Sequence, residues 1–447
     1  MNMLMISLFT GFGLFYLILG LLVSRGIKTT QDYFLAGRKL GLFYLTFTLV
    51  ATQIGGGTLL GTSAQSYKIG YFGIFYTLGI ALGFLFLGLG IASKLRAFNV
   101  STTAQLFQVK YGSISLKKLA SILSVLTMFG IVGGQVVALR GMLFSLGMNS
   151  EFVFIAFWLF IVIYTVVGGL KAVTVTDAFQ VLFIIILFTG LFIYSLLAEP
   201  ASFFNVKSLI GKQKLFMEDG LSFLALFPVI FNPMMFSFIE QDLAQRFFAA
   251  KSKKTAATAA LLASLSMILF SLIPIYFGMK ARLGGIPFSE SPLISILSTM
   301  VGNLLLSFII CGLAAAIIST SDSLLCAISS NICQDFDFTY LGFKDRLKVS
   351  KSITFLVGMA ALFVAYFTSD IIGIIVQSYE LSISCLLVPI FFCYFKKNLH
   401  KQAALFSIIL GVVGFVLFRI YPLPFPKELA TLILSFIGYL IGDSFEF

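Results

Sequence analysis

Charged side chains are scarce in this sequence, and histidine is almost absent. Asp, Glu, Lys and Arg make up 11% of the 447 residues, whereas a soluble protein of this size has about 25%. Hydrophobic residues make up 59%, and the mean hydropathy is +1.04. A soluble globular protein is therefore excluded, and the composition indicates an integral, polytopic helical membrane protein.

The residues that build most catalytic sites are also in short supply. The single histidine, His400, lies in a Lys-rich stretch, and the five cysteines lack CxxC spacing. Such cysteines are typical small apolar residues of a core. Without a His/Cys cluster or a catalytic triad, the sequence gives no basis for an enzyme.

Apolar runs bounded by charged or turn residues are long enough to cross a bilayer as helices. The sequence predicts thirteen such spans, at residues 5–24, 42–65, 71–95, 119–147, 152–170, 176–197, 221–241, 256–278, 293–329, 350–368, 371–395, 402–420 and 427–442. Residues 199–219 form a short outer segment, in which we expect an amphipathic surface helix. Nothing resembles a linker to a soluble domain, so residues 1–447 are expected to form one membrane domain.

Basic residues set the predicted orientation. With the N-terminus outside, 21 of the 30 Lys and Arg residues fall on the cytoplasmic side, 8 fall outside, and Arg140 lies within a span. This bias follows the positive-inside rule, so it explains the net charge of +12 without a nucleic-acid partner. The odd number of spans then places the C-terminus in the cytoplasm.

Three consecutive glycines, Gly55 to Gly57, interrupt the second span. Each glycine costs roughly 1 kcal/mol relative to alanine within a helix, so the run favours unwinding. An unwound segment at membrane depth survives only inside protein or beside a polar cavity, where its carbonyls can hold a cation. Close helix packing through small residues is the alternative explanation.

A second interruption, at Phe231-Asn232-Pro233, falls in the seventh span, because proline removes a helical hydrogen bond. Five spans from each interrupted helix fill residues 42–197 and 221–395, and because five is odd the two sets have opposite orientations. Interrupted helices at matching positions of two inverted halves indicate a transporter's binding site. Residues 1–41 then form an extra helix and inner loop, and residues 402–447 form two C-terminal helices.

Hydroxyl side chains share one face of the ninth span. At helical spacing this face carries Ala316, Ser319, Thr320 and Ser323, with Asp322 at its edge. Such a face can approach an unwound helix and supply the oxygen ligands that small monovalent cations need. Helix packing, with the hydroxyls bonded to their own backbone, is the alternative.

Three further ionisable residues fall within or near spans. Asp177 lies close to a membrane boundary, where it is either a helix N-cap or a functional carboxylate. Arg140 lies too deep to reach the interface easily, so it needs a carboxylate or phosphate partner. That partner is either Glu380, which is likewise deep in its span, or the substrate.

Four stretches of the sequence occur in an order typical of one transporter family. They are DYFLAGRK at residues 32–39, YTVVGGLKAVTVTDAFQ at 164–180, EQDLAQRFFAAK at 240–251 and AAAIISTSDS at 314–323. With these motifs the chain resembles the sodium:solute symporters, which include sodium-coupled proline, sialic acid, pantothenate and sugar transporters.

The resemblance implies an all-α membrane protein with the ten-helix inverted-repeat core of the leucine-transporter type, preceded by one span and followed by two. It also implies a sodium site between the first and eighth core helices. Position by position, its ligands are the carbonyls of Ala51, Ile54 and Ala316 and the hydroxyls of Ser319 and Thr320. The second cation site of some members matches Asp177, Ser319, Asp322 and Ser323. Asp322 stands where those members have a small or hydroxyl residue.

The resemblance also implies a substrate pocket, lined by Gln53, Gly55, Thr58, Arg140, Phe236 and Gln377. Arg140 is similar to the arginine that pairs with the substrate carboxylate in the sialic acid transporters. Sugar transporters of the family use several polar side chains around the first break. This chain has glycines there, which argues against a sugar.

These features predict a sodium-coupled secondary active symporter of the cell membrane, which imports a small organic solute by alternating access. A carboxylate-bearing solute, such as a sialic acid, an amino acid or an organic acid, is favoured. The alternatives are proton coupling, a neutral sugar or vitamin as solute, a nutrient sensor and a channel. We expect the solute, sodium and the lipid bilayer as partners, no nucleic acid, no obligate protein partner, and no cofactor besides the coupling ion.

Overall fold

The computed structural model describes residues 3–25, 29–148, 150–198, 222–288, 291–338 and 345–445. The outer segment predicted at residues 199–219 lies outside these ranges. Within them the regular structure is helical, and a single isolated β-bridge joins Leu40 to Ala250. The predicted all-α class is therefore confirmed.

The α-helices are numbered in chain order. They are α1 (Met3–Ser24), α2 (Thr30–Leu35), α3 (Leu42–Gln53), α4 (Thr62–Ile69), α5 (Ile74–Phe86), α6 (Ala92–Ala97), α7 (Gln105–Tyr111), α8 (Ile114–Ser145), α9 (Glu151–Ala198), α10 (Phe223–Phe236), α11 (Gln241–Ala249), α12 (Lys253–Leu283), α13 (Pro292–Met300), α14 (Asn303–Asp335), α15 (Arg346–Ala361), α16 (Ile371–Ser382), α17 (Val388–Phe395), α18 (Lys401–Ile420) and α19 (Lys427–Ser444). Short π-helical turns occupy Gly57–Gly61, Leu87–Ile91 and Ile383–Leu387, and 3₁₀ turns occupy Ala36–Arg38, Gly70–Gly73 and Leu362–Tyr366.

Nine helices of the described residues are long and apolar enough to cross a membrane by length and composition, and three shorter apolar helices accompany them. The count of thirteen spans stays a prediction. One predicted span, 293–329, is instead divided into α13 and α14, because the chain is extended at Val301.

The fifth and sixth predicted spans are joined in one helix, α9, that bends at Gly169. Gly169 has φ 62°, a left-handed conformation that glycine adopts without strain. A Cβ atom there would also come closer than 3.0 Å to the ring of Tyr33. The backbone is non-helical at Gly169, so the fifth and sixth predicted spans are separated there by a kink, and Lys171 already belongs to the second of the two helical segments.

Helix α14 lies at the centre of the bundle. In its most apolar stretch, 78% is buried inside the protein. The corresponding share is 28% for the outer helix segment Gly168–Ala198. It packs against α1, α8, α9 and α15, whereas α18 and α19 pack mainly against each other. Ser319, Thr320 and Ser323 are all buried, so α14 places its hydroxyl face inside the protein.

Several helices approach closely at glycines. Gly79 of α5 faces the carbonyl of Ile230 in α10, and Gly278 of α12 faces the carbonyl of Ser63 in α4. A Cβ atom at either glycine would lie closer than 3.0 Å to the carbonyl oxygen, a separation that real Cβ atoms essentially never show. Small residues of this kind allow helix contacts in a membrane.

We expect Gly278→Ala to destabilise the protein by about 1–3 kcal/mol, because the new methyl group overpacks the contact with Ser63. Gly190→Ala is the matched control, since Gly190 has nothing within 4 Å of a Cβ atom. That change should be neutral or slightly stabilising, because alanine favours the helix. The measurement is the thermal unfolding midpoint in detergent, and equal midpoints for the two variants would contradict the packing argument.

Candidate functional site

The second span is broken at the glycine run. Helix α3 ends at Gln53, and Ile54 leaves the helix with φ −83° and ψ 71°. Freed backbone groups find side-chain partners. The amide of Gly56 donates to Gln135 Oε1 at 2.9 Å, and the carbonyl of Gln53 accepts from Thr58 Oγ1 at 2.5 Å. The predicted interruption is present, and it is buried inside protein, as a break at membrane depth requires.

The same glycines also permit close packing. A Cβ atom at Gly55 would meet Thr320 of α14 closer than 3.0 Å, and one at Gly56 would meet Ala138 of α8 closer than 3.0 Å. The two explanations of the glycine run therefore both apply. The run unwinds the helix and brings the unwound backbone against two neighbours.

Oxygen atoms of α3 and α14 converge beside the break. Ser319 Oγ lies 3.2 Å from the carbonyl oxygen of Ala51 and 3.1 Å from that of Ala316, and Thr320 Oγ1 lies 3.4 Å from the Ala51 oxygen. All four residues are buried. Four of the five implied sodium ligands are thus together, and the fifth, Ile54, is at the break. Carbonyls of unwound helices and neutral hydroxyls suit a small monovalent cation.

A fully buried ion pair joins Arg246 to Asp177. Arg246 Nη2 lies 3.3 Å from Asp177 Oδ2 and 2.5 Å from Ser323 Oγ, and its Nε donates to Thr48 Oγ1 at 2.9 Å. Thr48 Oγ1 in turn donates to Asp177 Oδ2 at 2.5 Å, and Arg246 Nη1 donates to the carbonyl of Asp242 at 3.0 Å. One guanidinium therefore connects α3, α9, α11 and α14.

These contacts bear on the second cation site. Its four implied residues are Asp177, Ser319, Asp322 and Ser323. Arg246 bridges Asp177 and Ser323, so the chain itself supplies a positive charge there. Asp322 is fully buried, and its carboxylate accepts no hydrogen bond from the described residues. A cation bound by these four residues stays a prediction. The guanidinium of Arg246 already lies between Asp177 and Ser323.

Two expectations about this cluster are wrong. Asp177 is not a helix cap, because it lies well inside α9 with none of its surface exposed. Arg246 is one of the 21 basic residues that the sequence assigned to the cytoplasmic loops, but it is fully buried in α11. Charge counting assigns every arginine near the end of a span to a loop, whereas this one is held in the interior by its bonded partners.

A small cavity lies along the break. Its volume is about 10 Å³, room for roughly one water molecule. Three predicted substrate residues line it, namely Gln53, Gly55 and Thr58. The other residues of its wall are Thr52, Gly57, Tyr76, Ile131, Gln135, Glu240, Asp242, Thr320, Leu324 and Tyr379. An organic solute fits there only if the walls move apart.

Two carboxylates line this cavity. Gln53 Nε2 donates to both oxygens of Glu240, at 3.2 and 3.3 Å. Neither carboxylate oxygen of Asp242 accepts a hydrogen bond from the described residues. The hydroxyls of Tyr76 and Tyr379, 3.4 Å apart, belong to the same wall. The cavity is acidic and partly aromatic, and the residues of its described wall include no Lys, Arg or His.

Arg140 does not line the cavity. Its Nη2 lies 2.8 Å from Glu151 Oε1, its Nη1 donates to the carbonyl of Ala365, and its guanidinium lies over the ring of Tyr366. The side chain is 28% exposed. Of the two partners considered for Arg140, Glu380 is not the one it contacts, because the long side chain reaches the partly exposed carboxylate of Glu151.

Glu380 is buried, as predicted, but its partners are basic residues of the C-terminal helices. Lys427 Nζ lies 3.0 Å from Glu380 Oε2, and Arg419 Nη2 lies 3.4 Å from the same oxygen. Glu380 therefore attaches α18 and α19 to α16, a structural role outside the cavity.

Two other predicted pocket residues do not line the cavity either. Phe236 is buried and stacks on the cavity residue Tyr379, with ring centroids 4.5 Å apart. It therefore supports the wall indirectly. Gln377 is exposed on α16 and forms no part of the wall.

The sequence patterns did not identify three residues of the site, namely Glu240, Asp242 and Arg246. They lie in a stretch that carries the family resemblance, yet only the resemblance drew attention to them. Their charge was the available signal, because ionisable side chains inside an apolar span are costly and mark functional sites. The proline break just before them pointed to the same place.

The profile of the Sodium:solute symporter family matches residues 33–411. This chain belongs to the sodium:solute symporter family. The symporter is 24% identical to the sodium/proline symporter of Haemophilus influenzae, over 89% of this chain and 84% of that protein. It is 27% identical to high-affinity choline transporter 1 of Caenorhabditis elegans, over 58% of this chain and 45% of that transporter.

Two solved structures share the fold. A sodium-coupled sialic acid symporter in a substrate-bound outward-open state has a TM-score of 0.83, with 17% identity over 99% of this chain and 98% of that one. A nucleobase-cation-symport-1 family transporter in a closed conformation has a TM-score of 0.63, with 13% identity over 93% and 95%. The predicted leucine-transporter-type architecture is therefore confirmed.

Family and fold together establish the class of protein. The chain is a multi-pass membrane transporter that carries out sodium-coupled symport of a solute, and it is not an enzyme. The predicted family is confirmed, whereas the roles of individual site residues stay predictions.

We expect Arg246→Gln to lower the free energy of unfolding by about 3–5 kcal/mol, because it leaves the buried Asp177 without its partner. Adding Asp177→Asn should recover much of that loss. Lys396→Gln is the control, since its pair with Asp443 is partly exposed and contributes about 0–1 kcal/mol. Chemical unfolding in detergent measures all three, and similar losses in the two single variants would refute a special role for the buried pair.

Arg140→Gln should cost only about 0–1 kcal/mol of stability and should change solute affinity less than about twofold, because its partner Glu151 lies outside the cavity. The measurements are the unfolding midpoint and the half-saturating solute concentration in uptake. If the variant lost two orders of magnitude in solute affinity while its unfolding midpoint stayed the same, Arg140 would have to bind the solute.

Proposed function

We propose that this symporter imports a small organic solute with sodium by alternating access, and that sodium binds between α3 and α14. The observation that carries this proposal is the meeting of four neutral oxygens beside the break, from Ala51, Ala316, Ser319 and Thr320. Hard oxygen ligands and an unwound helix are what sodium-coupled carriers use to hold the ion.

The proposed solute site is the cavity along the break. Thr320 lines this cavity and also belongs to the oxygen cluster, so the two proposed sites share a residue. The cavity residue Thr52 follows Ala51 directly in the chain. An ion that fixes this backbone therefore also fixes one wall of the solute site. Such a shared element gives a coupling free energy between sodium and solute.

The prediction of a carboxylate-bearing solute relied on Arg140, and the position of Arg140 does not support it. The guanidinium is bonded to Glu151 and the Ala365 carbonyl, and it forms no part of the cavity wall. The solute class therefore has to follow from the charges that do line the cavity.

We also propose that the protein lies in the cell membrane with its N-terminus outside and its C-terminus in the cytoplasm. Moving Arg246 from the cytoplasmic loops into the interior leaves 20 basic residues inside against 8 outside. The positive-inside bias keeps its direction.

The double change Ser319→Ala and Thr320→Ala should raise the half-saturating sodium concentration severalfold, because it removes both side-chain oxygens of the proposed ion site. Sodium-dependent uptake and sodium-induced thermal stabilisation are the two readouts. Ser321→Ala is the matched control on the same helix, since its hydroxyl bonds only to the carbonyl of Ile317. If the double variant kept the sodium dependence of the wild type, the proposal that sodium binds at this position would be wrong.

A further inference from the structure

The cavity has an acidic side that the sodium site does not use. Glu240 and Asp242 lie at the start of α11, with 4% and 0% of their surfaces exposed. The free amides of a helix N-terminus favour negative charge, so the backbone here tolerates ionised carboxylates. The wall of the cavity contains both side chains.

Asp242 is the residue that points to a missing partner. Glu240 receives two hydrogen bonds from Gln53, whereas Asp242 forms no ion pair with a basic side chain among the described residues, and its carboxyl group lies beside that of Glu240. Arg246 bonds to the backbone carbonyl of Asp242, and its side-chain partners are Asp177, Thr48 and Ser323. Two adjacent buried carboxylates are costly unless a proton or a positive group neutralises one of them, and a positively charged group of the solute would do so.

The charges around the cavity do not balance. Two buried carboxyl groups, those of Glu240 and Asp242, line it, and the described residues of its wall include no Lys, Arg or His. The nearby basic residue Arg246 is paired with Asp177 outside that wall. One sodium ion adds a single positive charge. A solute that brought a negative charge alone would enlarge the imbalance, and a solute with a positive group would reduce it.

Aromatic faces accompany the carboxylates. Tyr76 and Tyr379 line the same cavity, and Phe236 stacks on Tyr379. Aromatic rings beside carboxylates recognise ammonium groups, because the ring quadrupole attracts a weakly hydrated organic cation.

We propose that the solute carries a positively charged nitrogen, which binds between Asp242, Glu240 and the rings of Tyr76 and Tyr379. The inference rests on the proposed function, because it takes the cavity along the break as the solute site. The sequence predicted a solute whose carboxylate binds Arg140; the present proposal is a solute whose ammonium group binds Asp242. A carboxylate elsewhere on the same solute is compatible with it, and an organic anion is not.

The test measures thermal unfolding of the purified full-length protein with sodium and a panel of probes. Choline, ethanolamine and glycine betaine carry a charged nitrogen, whereas the uncharged tert-butyl analogue of choline and lactate do not. In sodium, at least one charged-nitrogen probe should raise the unfolding midpoint. It should do so at a half-saturating concentration about tenfold or more below those of the tert-butyl analogue and lactate.

Asp242→Asn should raise the half-saturating concentration of that probe by about tenfold or more and should leave stabilisation by sodium alone in place. Asp335→Asn is the matched control, since Asp335 is a buried carboxylate bonded to Thr102 that does not line the cavity. If Asp242→Asn does not fold, Glu240→Gln and the comparison of probes on the wild-type protein decide the question.

Three results would overturn the proposal: no charged-nitrogen probe stabilises the protein, the uncharged analogue or lactate binds as tightly, or Asp242→Asn binds the probe as well as the wild type. Failure of the sodium site would look different. Sodium alone would then leave the unfolding midpoint of the wild type unchanged, whatever the probes do.

Discussion

The buried ion pair between Arg246 and Asp177 is the interaction on which the centre of this symporter depends. It connects four helices, two from each predicted repeat, through hydrogen bonds that also include Thr48 and Ser323. Burying these charges is costly unless every donor is bonded, so the four helices are held in one arrangement. Ser323 donates in turn to the carbonyl of Ser319, which links the pair to the oxygens of the proposed sodium site.

The broken helix brings the two proposed binding events onto one stretch of backbone. Its last helical turn supplies Ala51 to the oxygen cluster, and the residues that follow line the solute cavity. The cavity is too small for an organic solute in this conformation, so binding requires the walls to separate. A transporter that alternates access depends on such a change, because the site must be closed to both sides in between.

Much of the fold could be predicted from the sequence, because hydropathy and glycine or proline breaks act locally along the chain. The four oxygens of the proposed sodium site also followed from helical spacing and family resemblance. The partners of charged side chains did not follow. Arg140 and Glu380 lie in the fourth and the eleventh predicted spans, and each bonds to a residue at the end of another helix. The partner of a long side chain is whichever group lies near it in three dimensions. The spacing of residues along one helix does not specify that group.

By itself, the sequence determined the helical membrane class, the interrupted second span and the hydroxyl face opposite it, since each depends on residues within a few turns of one another. The tertiary structure alone decided that Arg246 lies inside the protein beside Asp177, and that Glu240 and Asp242 line the same cavity. Both facts depend on helices far apart in the chain, and on which side of a helix faces another. Only packing sets that relation, and here it makes the cavity acidic.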